Sequence, residues 1–244
     1  MVKKIGREEK LSFLQHLEEL RKRIIRIVLF LIVAFTVTWN FSEKLILPFS
    51  KLLGAKLVFL TPMEALMAYM TIAFYAALFL TVPYLAYHVW AFVSPGLREK
   101  EKKYAVVVVS SASGLFFAGL VFCWYLVLPF MIGFLMSYGG DVMTPMISVK
   151  AYMSFCLSIL LIFGAIFELP LVVVIIHSIG LVSLAALKDF RRYWIVAAFV
   201  IAAIITPTPD VFNQTITAIP MIVLYELSLV WIYLFGRKKP VENN

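Results

Sequence analysis

A carboxylate and a proline interrupt the most apolar part of the chain. Residues 164–176 read GAIFELPLVVVII, with Glu168 in the middle and Pro170 two positions later. An acid at the centre of a spanning helix costs about 2.5–3.5 kcal/mol, whereas each Leu, Ile, Phe or Val contributes about 0.3–0.6 kcal/mol towards insertion. Residues 157–176 hold 15 such side chains, so this helix is expected to insert despite Glu168. An acid in this setting faces a bundle interior, a wet cavity or a polar partner.

A second acid, Glu226, lies in the apolar run LYELSL. A hydrogen bond within the protein is the alternative to a functional role for both acids. That alternative is stronger for Glu226 because Tyr225 and Ser228 are nearby polar groups. A proton relay needs several ionisable groups in series through the bilayer. Two isolated glutamates are too sparse a set for a proton pump.

The charged lead before the first apolar run is predicted to be helical. Ser12 followed by Gln15 has the spacing of a capping box, so we expect the helix to begin there. Apolar residues then recur at helical spacing, at Leu14, Leu17, Leu20 and Ile24. The pattern predicts an amphipathic turn along the inner membrane surface that continues into the first span.

Further acids lie in this lead and in a later polar loop. Glu18 and Glu19 have Lys22 and Arg23 four residues further on, so helix-surface ion pairs are the alternative to a binding site. Glu101, in the loop LREKEK, has no basic residue at the i+4 position. Glu101 is therefore the less neutralised acid, in what could also be an ordinary solvated loop.

The composition indicates a membrane protein. Hydrophobic residues make up 63% of the chain, the mean hydropathy is +0.96, and only 15% of residues are charged, against about 25% in an ordinary soluble domain. No core of 244 residues could remove so much apolar side chain from water. We predict an all-α, polytopic membrane protein with a single domain. Cys123 and Cys156 both lie in apolar runs and are interpreted as buried apolar residues rather than a disulfide or metal pair.

Six segments are apolar enough to be spans. A spanning helix needs about 20 mainly apolar residues. The candidates lie near residues 24–41, 65–92, 105–131, 151–177, 193–207 and 214–235. Prolines within four of them are expected to kink their helices and to shape a concave bundle: these are Pro83, Pro129, Pro170 and Pro220.

The fifth predicted span is short. Residues 193–207 would form roughly 22 Å of helix at about 1.5 Å per residue, less than the hydrocarbon thickness of about 30 Å. The loop that follows, TPTPDVFNQ, is also short. The fifth and sixth spans are therefore predicted to form a tight hairpin, closed on the outer side by Pro207, Pro209 and Asp210.

Lysine and arginine predict the orientation. The lead, the tail and the loops at 93–104 and 178–192 hold 17 Lys and Arg residues, whereas the alternate loops hold four. Cytoplasmic loops carry this excess, so both termini are expected to be cytoplasmic. The formal net charge of +8 is ascribed to this bias and to attraction to anionic lipid, and not to nucleic-acid binding.

Four ordered motifs on six spans resemble one family. HLEELRKR, AFVSPGLREKEK, FELP and TPTPDVFNQ look like TatC, the receptor subunit of the twin-arginine protein translocase. The resemblance covers nearly the whole chain. The spacing TPTPD departs from the shorter TPPD of some members, and Glu18 is an acid additional to the pattern. The resemblance implies a multi-pass protein of the inner, cytoplasmic membrane.

The resemblance also implies roles for individual residues. The positions implied to bind a signal peptide are Glu19, Glu101, Phe92, Pro95, Leu97, Leu17 and Arg21. The candidate intramembrane polar or partner-binding residues are Glu168, Gln214, Asp210 and Glu226. Pro48 falls in a first outer loop similar to that of the family.

The implied activity is binding of signal peptides that carry consecutive arginines, followed by assembly of single-span TatA- and TatB-type subunits. The resulting multi-subunit complex would export folded proteins with the proton-motive force. Two carboxylates from separate segments can each take an arginine fork through paired charge-assisted hydrogen bonds, which a lysine cannot reproduce. No enzyme activity, cofactor or metal is expected.

Two other classes fit parts of the sequence. A proton-coupled small-molecule transporter would need a midplane site between repeats, and we find no repeat and few polar residues. An intramembrane serine protease could use Ser113 in SSASG, but the motif lacks its first glycine. The small residues from Ser110 to Gly114 are more simply interpreted as a site of close helix approach.

Overall fold

The computed structural model describes residues 7–93, 105–138, 144–206 and 210–235. These residues form α-helices and one isolated β-bridge, between Val58 and Ser148. The helices pack as two compact units. The first unit combines residues 1–49 with 61–113, and the second combines 50–60 with 114–244.

The first unit contains two long helices. Helix α1 runs from Arg7 to Trp39 and α3 from Pro62 to Val93. Helix α2 runs from Ser42 to Leu53, and its last four residues belong to the second unit. The predicted helix start at Ser12 is wrong, because α1 already includes the preceding REEK segment, which is rich in good helix formers. The predicted continuation of the lead into the first span is confirmed, because α1 runs without a break from Arg7 to Trp39.

Helices α1 and α3 pack as an antiparallel pair. The Thr38 hydroxyl donates to the Ala73 carbonyl over 2.7 Å, and the rings of Phe30 and Tyr84 stack at 4.6 Å between centroids. Higher numbers on α1 therefore meet lower numbers on α3. Buried alanines allow the two backbones to approach closely; on α3 they are Ala68, Ala73 and Ala77.

The segment after α1 contains a second helix, for which the sequence analysis made no prediction. Helix α2 is bent by 71° from α1, and Pro48 lies inside it with an exposed side chain. Pro48 therefore lies in a helix, and its place in an outer loop stays a prediction.

The second unit contains the remaining helices. They are α4 (Ala105–Phe122, whose first nine residues belong to the first unit), α5 (Leu128–Ser137), α6 (Val149–Ile166), α7 (Leu169–Ser178), α8 (Leu184–Ile205) and α9 (Val211–Phe235). A π-helical turn, Cys123–Val127, joins α4 to α5. Cys123 and Cys156 are buried and free, which confirms the interpretation of both as apolar residues.

Two of the four prolines coincide with changes in the helical ladder. Pro129 follows the π-turn at Cys123–Val127, and Pro170 lies in the first turn of α7, directly after a two-residue break. Each proline lacks the N–H that would continue the i→i−4 ladder. The helix continues unbroken through Pro83 and Pro220.

Glycine permits a close helix contact in the second unit. A Cβ at Gly119 of α4 would lie 2.6 Å from the Phe163 carbonyl oxygen on α6, and a Cβ at Gly164 would lie 2.5 Å from the Phe116 ring. The prediction of a close approach at Gly114 is wrong, since a Cβ there meets nothing within 4 Å. The close approach therefore lies one to two turns further along α4.

Helices α8 and α9 form the predicted hairpin. They contact each other along their length and enclose an apolar cluster with Ala198, Ala202, Ala218 and Met221 at its centre. The predicted start of this helix at residue 193 is wrong. The Ser183 side chain caps α8 by accepting from the Ala186 N–H over 3.1 Å, so the helix begins at Leu184 and has 22 residues.

All six predicted spans lie on helices. Among the residues that the structure describes, four segments meet the length and composition expected of a membrane span, and the bent pair α1–α2 makes up to five. The first half of α8 carries Lys188, Asp189, Arg191 and Arg192, which leaves its apolar part short. In the most apolar 18-residue stretch of each of the four segments, only 28–39% is buried inside the protein. Most of the surface of these stretches is therefore available to lipid.

Candidate functional site

Glu19 lies at the end of the first unit where α1 meets the last turn of α3. Its carboxylate is paired with Arg23, whose Nε and Nη2 both donate to Oε1. This hydrogen bond keeps the pKa of Glu19, which precedes the apolar part of α1, below its ordinary value. The pair that the sequence predicted at i,i+4 is therefore formed.

Arg23 connects this pair to α3. Its Nη2 also donates to the backbone carbonyl of Ala91 over 3.2 Å. Next to it, the His16 ring stacks on Phe92 with 4.2 Å between centroids and 14° between planes. The structure thus brings together two of the predicted signal-peptide residues, Glu19 and Phe92, at one end of the α1–α3 pair.

Of the other residues predicted for this site, two are described by the structure and three are not. Leu17 and Arg21 are exposed on α1. Glu18 forms a separate, exposed pair with Lys22 at 2.9 Å. Glu101, Pro95 and Leu97 lie outside the described residues.

Glu168 lies at the break between α6 and α7. Its backbone precedes α7 as the N-cap residue, but its side chain makes no capping hydrogen bond. Within the part of the chain that the structure describes, its half-buried carboxylate has no hydrogen bond or ion pair. The flanking Phe167 and Leu169 pack against the apolar cluster of α8 and α9. Glu168 therefore lies between apolar neighbours, at the helix break that precedes Pro170.

Asp210 and Gln214 both have partners within the chain. The Asp210 carboxylate caps the start of α9 by accepting from the Asn213 N–H over 2.7 Å and from its side-chain amide over 2.9 Å. The Gln214 amide donates to the Phe199 carbonyl on α8 over 2.9 Å. Asp210 therefore stabilises the start of α9, and Gln214 holds α9 against α8.

Glu226 is an interhelical ion-pair residue. Its Oε2 lies 2.7 Å from Nη2 of Arg191 on α8. The suggestion that Tyr225 or Ser228 satisfies it is wrong: the Tyr225 hydroxyl donates to the Leu187 carbonyl over 2.8 Å, and the Ser228 hydroxyl donates to the Leu224 carbonyl over 2.7 Å. This pair, together with the stack of Trp194 on Tyr225, holds α8 against α9.

Two arginines make contacts between helices that the sequence analysis did not predict. The spacing predicted the pair of Arg23 with Glu19, but nothing in the sequence indicated its second contact with α3. Arg191 was placed in a loop because its charge ended the apolar run. The serine at position 183, followed by LAAL, is the cap signal that could have extended α8 back to include it.

The fold and its polar groups define a class. Long apolar helices, a half-buried acid between two of them and a polar end on the α1–α3 pair describe an all-α, multi-pass membrane protein. Within that class, the family "Sec-independent protein translocase protein (TatC)" matches residues 15–220. The chain belongs to the TatC family.

Individual relatives agree over almost the whole chain. The TatC protein of Koribacter versatilis is 40% identical over 237 residues, which cover 93% of this chain and 87% of the relative. The TatC protein of Helicobacter pylori strain 26695 is 38% identical and covers 94% of this chain and 90% of its own length. Both are described as Sec-independent protein translocase proteins.

A solved structure agrees with the fold. A crystal structure of the twin-arginine translocase receptor TatC in DDM superposes with a TM-score of 0.79 at 32% identity, covering 88% of this chain and 98% of that chain. The predicted fold class, an all-α membrane protein, is confirmed. Membership of a protein translocase family also favours protein transport over the small-molecule transporter and the protease considered above.

Proposed function

We propose that this chain is the receptor of a twin-arginine translocase in the inner membrane. On this proposal, the signal peptides of folded precursor proteins dock on its cytoplasmic face. Docking then leads to assembly of single-span TatA- and TatB-type subunits and to export driven by the proton-motive force. The similar solved structure of a translocase receptor and the motifs HLEELRKR and AFVSPGLREKEK support this proposal.

One observation carries it. Both hydrogen bonds from Arg23 end on Oε1 of Glu19, and the structure gives Oε2 no partner among the described residues. The Glu19 side chain is 40% exposed. An incoming guanidinium can therefore donate to Oε2 without displacing Arg23, and a charge-assisted bond of this kind is about twice as strong as a neutral one.

The charges around Glu19 imply that the peptide is recognised by direct contact and not by long-range attraction. The predicted cytoplasmic segments hold 17 Lys and Arg residues, so that face is basic as a whole and repels a ligand with two arginines at a distance. Screening limits that repulsion to about 8–10 Å at physiological salt. Recognition therefore depends on direct hydrogen bonds from the guanidinium groups, which favours arginine over lysine.

The later steps are assigned to groups in the second unit. Glu168 is the proposed acceptor for a polar group of a partner subunit or substrate, because its carboxylate is half-buried without a partner among the described residues. Asp210 and Gln214 are proposed to contribute to the same interface while Asp210 stabilises the start of α9 and Gln214 holds α9 against α8.

The test compares two adjacent acids on α1. A labelled twin-arginine signal peptide is titrated into the purified chain and into its Glu19→Gln and Glu18→Gln variants. Losing a charged hydrogen-bond partner costs about 1.5–3 kcal/mol, so Glu19→Gln is expected to weaken binding by roughly 10- to 100-fold. Glu18→Gln makes the same change of charge one residue away and should bind like wild type. Equal effects of the two changes, or none, would contradict the proposal.

A further inference from the structure

Arg23 contacts both Glu19 on its own helix and the backbone of α3, whereas an ordinary surface ion pair involves the acid alone. Its Nε and Nη2 reach one oxygen of Glu19, and the same Nη2 reaches the Ala91 carbonyl on α3. Its side chain is 17% exposed, whereas that of Glu19 is 40% exposed. Arg23 therefore lies beneath Glu19, between the acid and the last turn of α3.

The choice of one carboxylate oxygen by Arg23 determines which part of Glu19 remains accessible. Because Arg23 uses only Oε1, it holds the carboxylate by one oxygen and leaves Oε2 without a bond among the described residues. The bond to Ala91 joins the same guanidinium to the C-terminal turn of α3, where helix carbonyls favour a positive charge. The stack of His16 on Phe92 closes the contact on one side.

We propose that Arg23 is the positioning residue of the arginine-binding site: it fixes Glu19 against the end of α3 with Oε2 outward. This inference rests on the proposed receptor function and adds how the acid is presented. A lysine at this position could supply one bond, but it could not bridge Glu19 and Ala91 with the geometry of a planar fork.

Simple electrostatics predicts the opposite effect. Arg23 has the same charge as the ligand, so its removal should strengthen binding of an arginine peptide if charge alone mattered. It would also do so if Arg23 merely competed with the ligand for Glu19. Positioning predicts weaker binding instead, because a released Glu19 must be ordered again when the ligand binds.

The experiment measures peptide affinity for three variants of the full chain. Arg23→Gln and Lys22→Gln remove the same charge from adjacent residues, and only the first removes the bridge to Ala91. Arg23→Lys keeps the charge and loses the fork. Each protein is titrated with a twin-arginine peptide and with its twin-lysine form, and its folding is checked by thermal unfolding in detergent.

We expect Arg23→Gln to weaken twin-arginine binding at least 10-fold and to reduce the preference for arginine over lysine. Lys22→Gln should bind as well as wild type or slightly better, and Arg23→Lys should fall between wild type and Arg23→Gln. Unchanged or tighter binding by Arg23→Gln would overturn the inference, as would wild-type affinity in Arg23→Lys.

The inference and the receptor proposal fail in different ways. If the wild-type chain binds no twin-arginine peptide, or binds it independently of Glu19, the receptor proposal fails. If Glu19→Gln weakens binding while Arg23→Gln does not, only the positioning role fails. If Arg23→Gln does not fold, Arg23→Lys decides the matter, because it retains the charge and one of the two contacts.

Discussion

At the scale of single residues, Glu168 is the acid whose position is hardest to explain by stability. Insertion of its helix tolerates the acid without needing it, and no described residue pairs with it. Asp210, Gln214 and Glu226 differ, since each has a partner within the α8–α9 hairpin. A group that costs free energy and has no partner among the described residues is the reason for our proposal that Glu168 meets a partner outside the chain.

Replacement of Glu168 should therefore separate binding from transport. We expect Glu168→Ala to bind a twin-arginine peptide with wild-type affinity, because the site at Glu19 is unchanged. Transport of a folded precursor into inverted membrane vesicles, with the single-span partners present, should fall at least 10-fold. Glu168→Gln keeps an acceptor of the same size and should retain more transport than Glu168→Ala. Normal transport by Glu168→Ala would show that this acid has no essential partner.

Some of these residue contacts could be predicted from the sequence and others could not. The i,i+4 pairs of Glu18 and Glu19 follow from helical spacing alone, and both are formed. The bond from Arg23 to Ala91 joins residues 68 positions apart, so it depends on how α1 packs against α3. The pair of Glu226 with Arg191 could not be predicted for the same reason.

At the scale of helices, the contact of α4 with α6 depends on two glycines. The backbones approach so closely at Gly119 that a methyl group would overlap the Phe163 carbonyl. Without a hydrophobic driving force in lipid, such close packing is a main source of helix association. The contact should therefore be sensitive to a single added carbon.

Gly119→Ala should destabilise the protein. Overpacking typically costs about 1–3 kcal/mol, which exceeds the gain of about 1 kcal/mol that alanine has over glycine in a helix. Gly133→Ala, on α5, is the matched control because a Cβ there meets nothing within 4 Å. Thermal unfolding in detergent should show a lower midpoint for Gly119→Ala and an unchanged or higher one for Gly133→Ala. Equal midpoints would contradict the proposed contact.

Hydropathy located the spans but not the ends of their helices. The extra length of α1 before Ser12 is mostly charged, and the extra length of α8 before residue 193 carries Lys188, Asp189, Arg191 and Arg192, so neither continues an apolar run. Helix α2 was missed because its proline and short length resemble a loop. Capping and helix propensity determine these ends, and both are weaker signals than a run of 20 apolar residues.

At the scale of the whole molecule, orientation is a prediction from charge. The excess of 17 Lys and Arg residues over four places both termini on the cytoplasmic side. The site at Glu19 would then face the compartment in which precursors fold.

Single cysteines can test this orientation. Lys3→Cys and Glu242→Cys should react with a membrane-impermeant maleimide only after spheroplasts are permeabilised. Lys44→Cys, on the exposed side of α2, should react in intact spheroplasts. The native Cys123 and Cys156 are buried and should add little background. Labelling of either terminus in intact spheroplasts would reverse the predicted topology.

The most direct test of the account is a thermodynamic cycle between Glu19 and the arginines of the peptide. Wild type and Glu19→Gln are each titrated with the twin-arginine and twin-lysine peptides, which gives four dissociation constants. We predict a coupling of about 1–2 kcal/mol, within the range found for residues in direct contact, so that the arginine preference is largely lost in Glu19→Gln. If the two changes are additive, Glu19 does not contact those arginines and the central claim is contradicted.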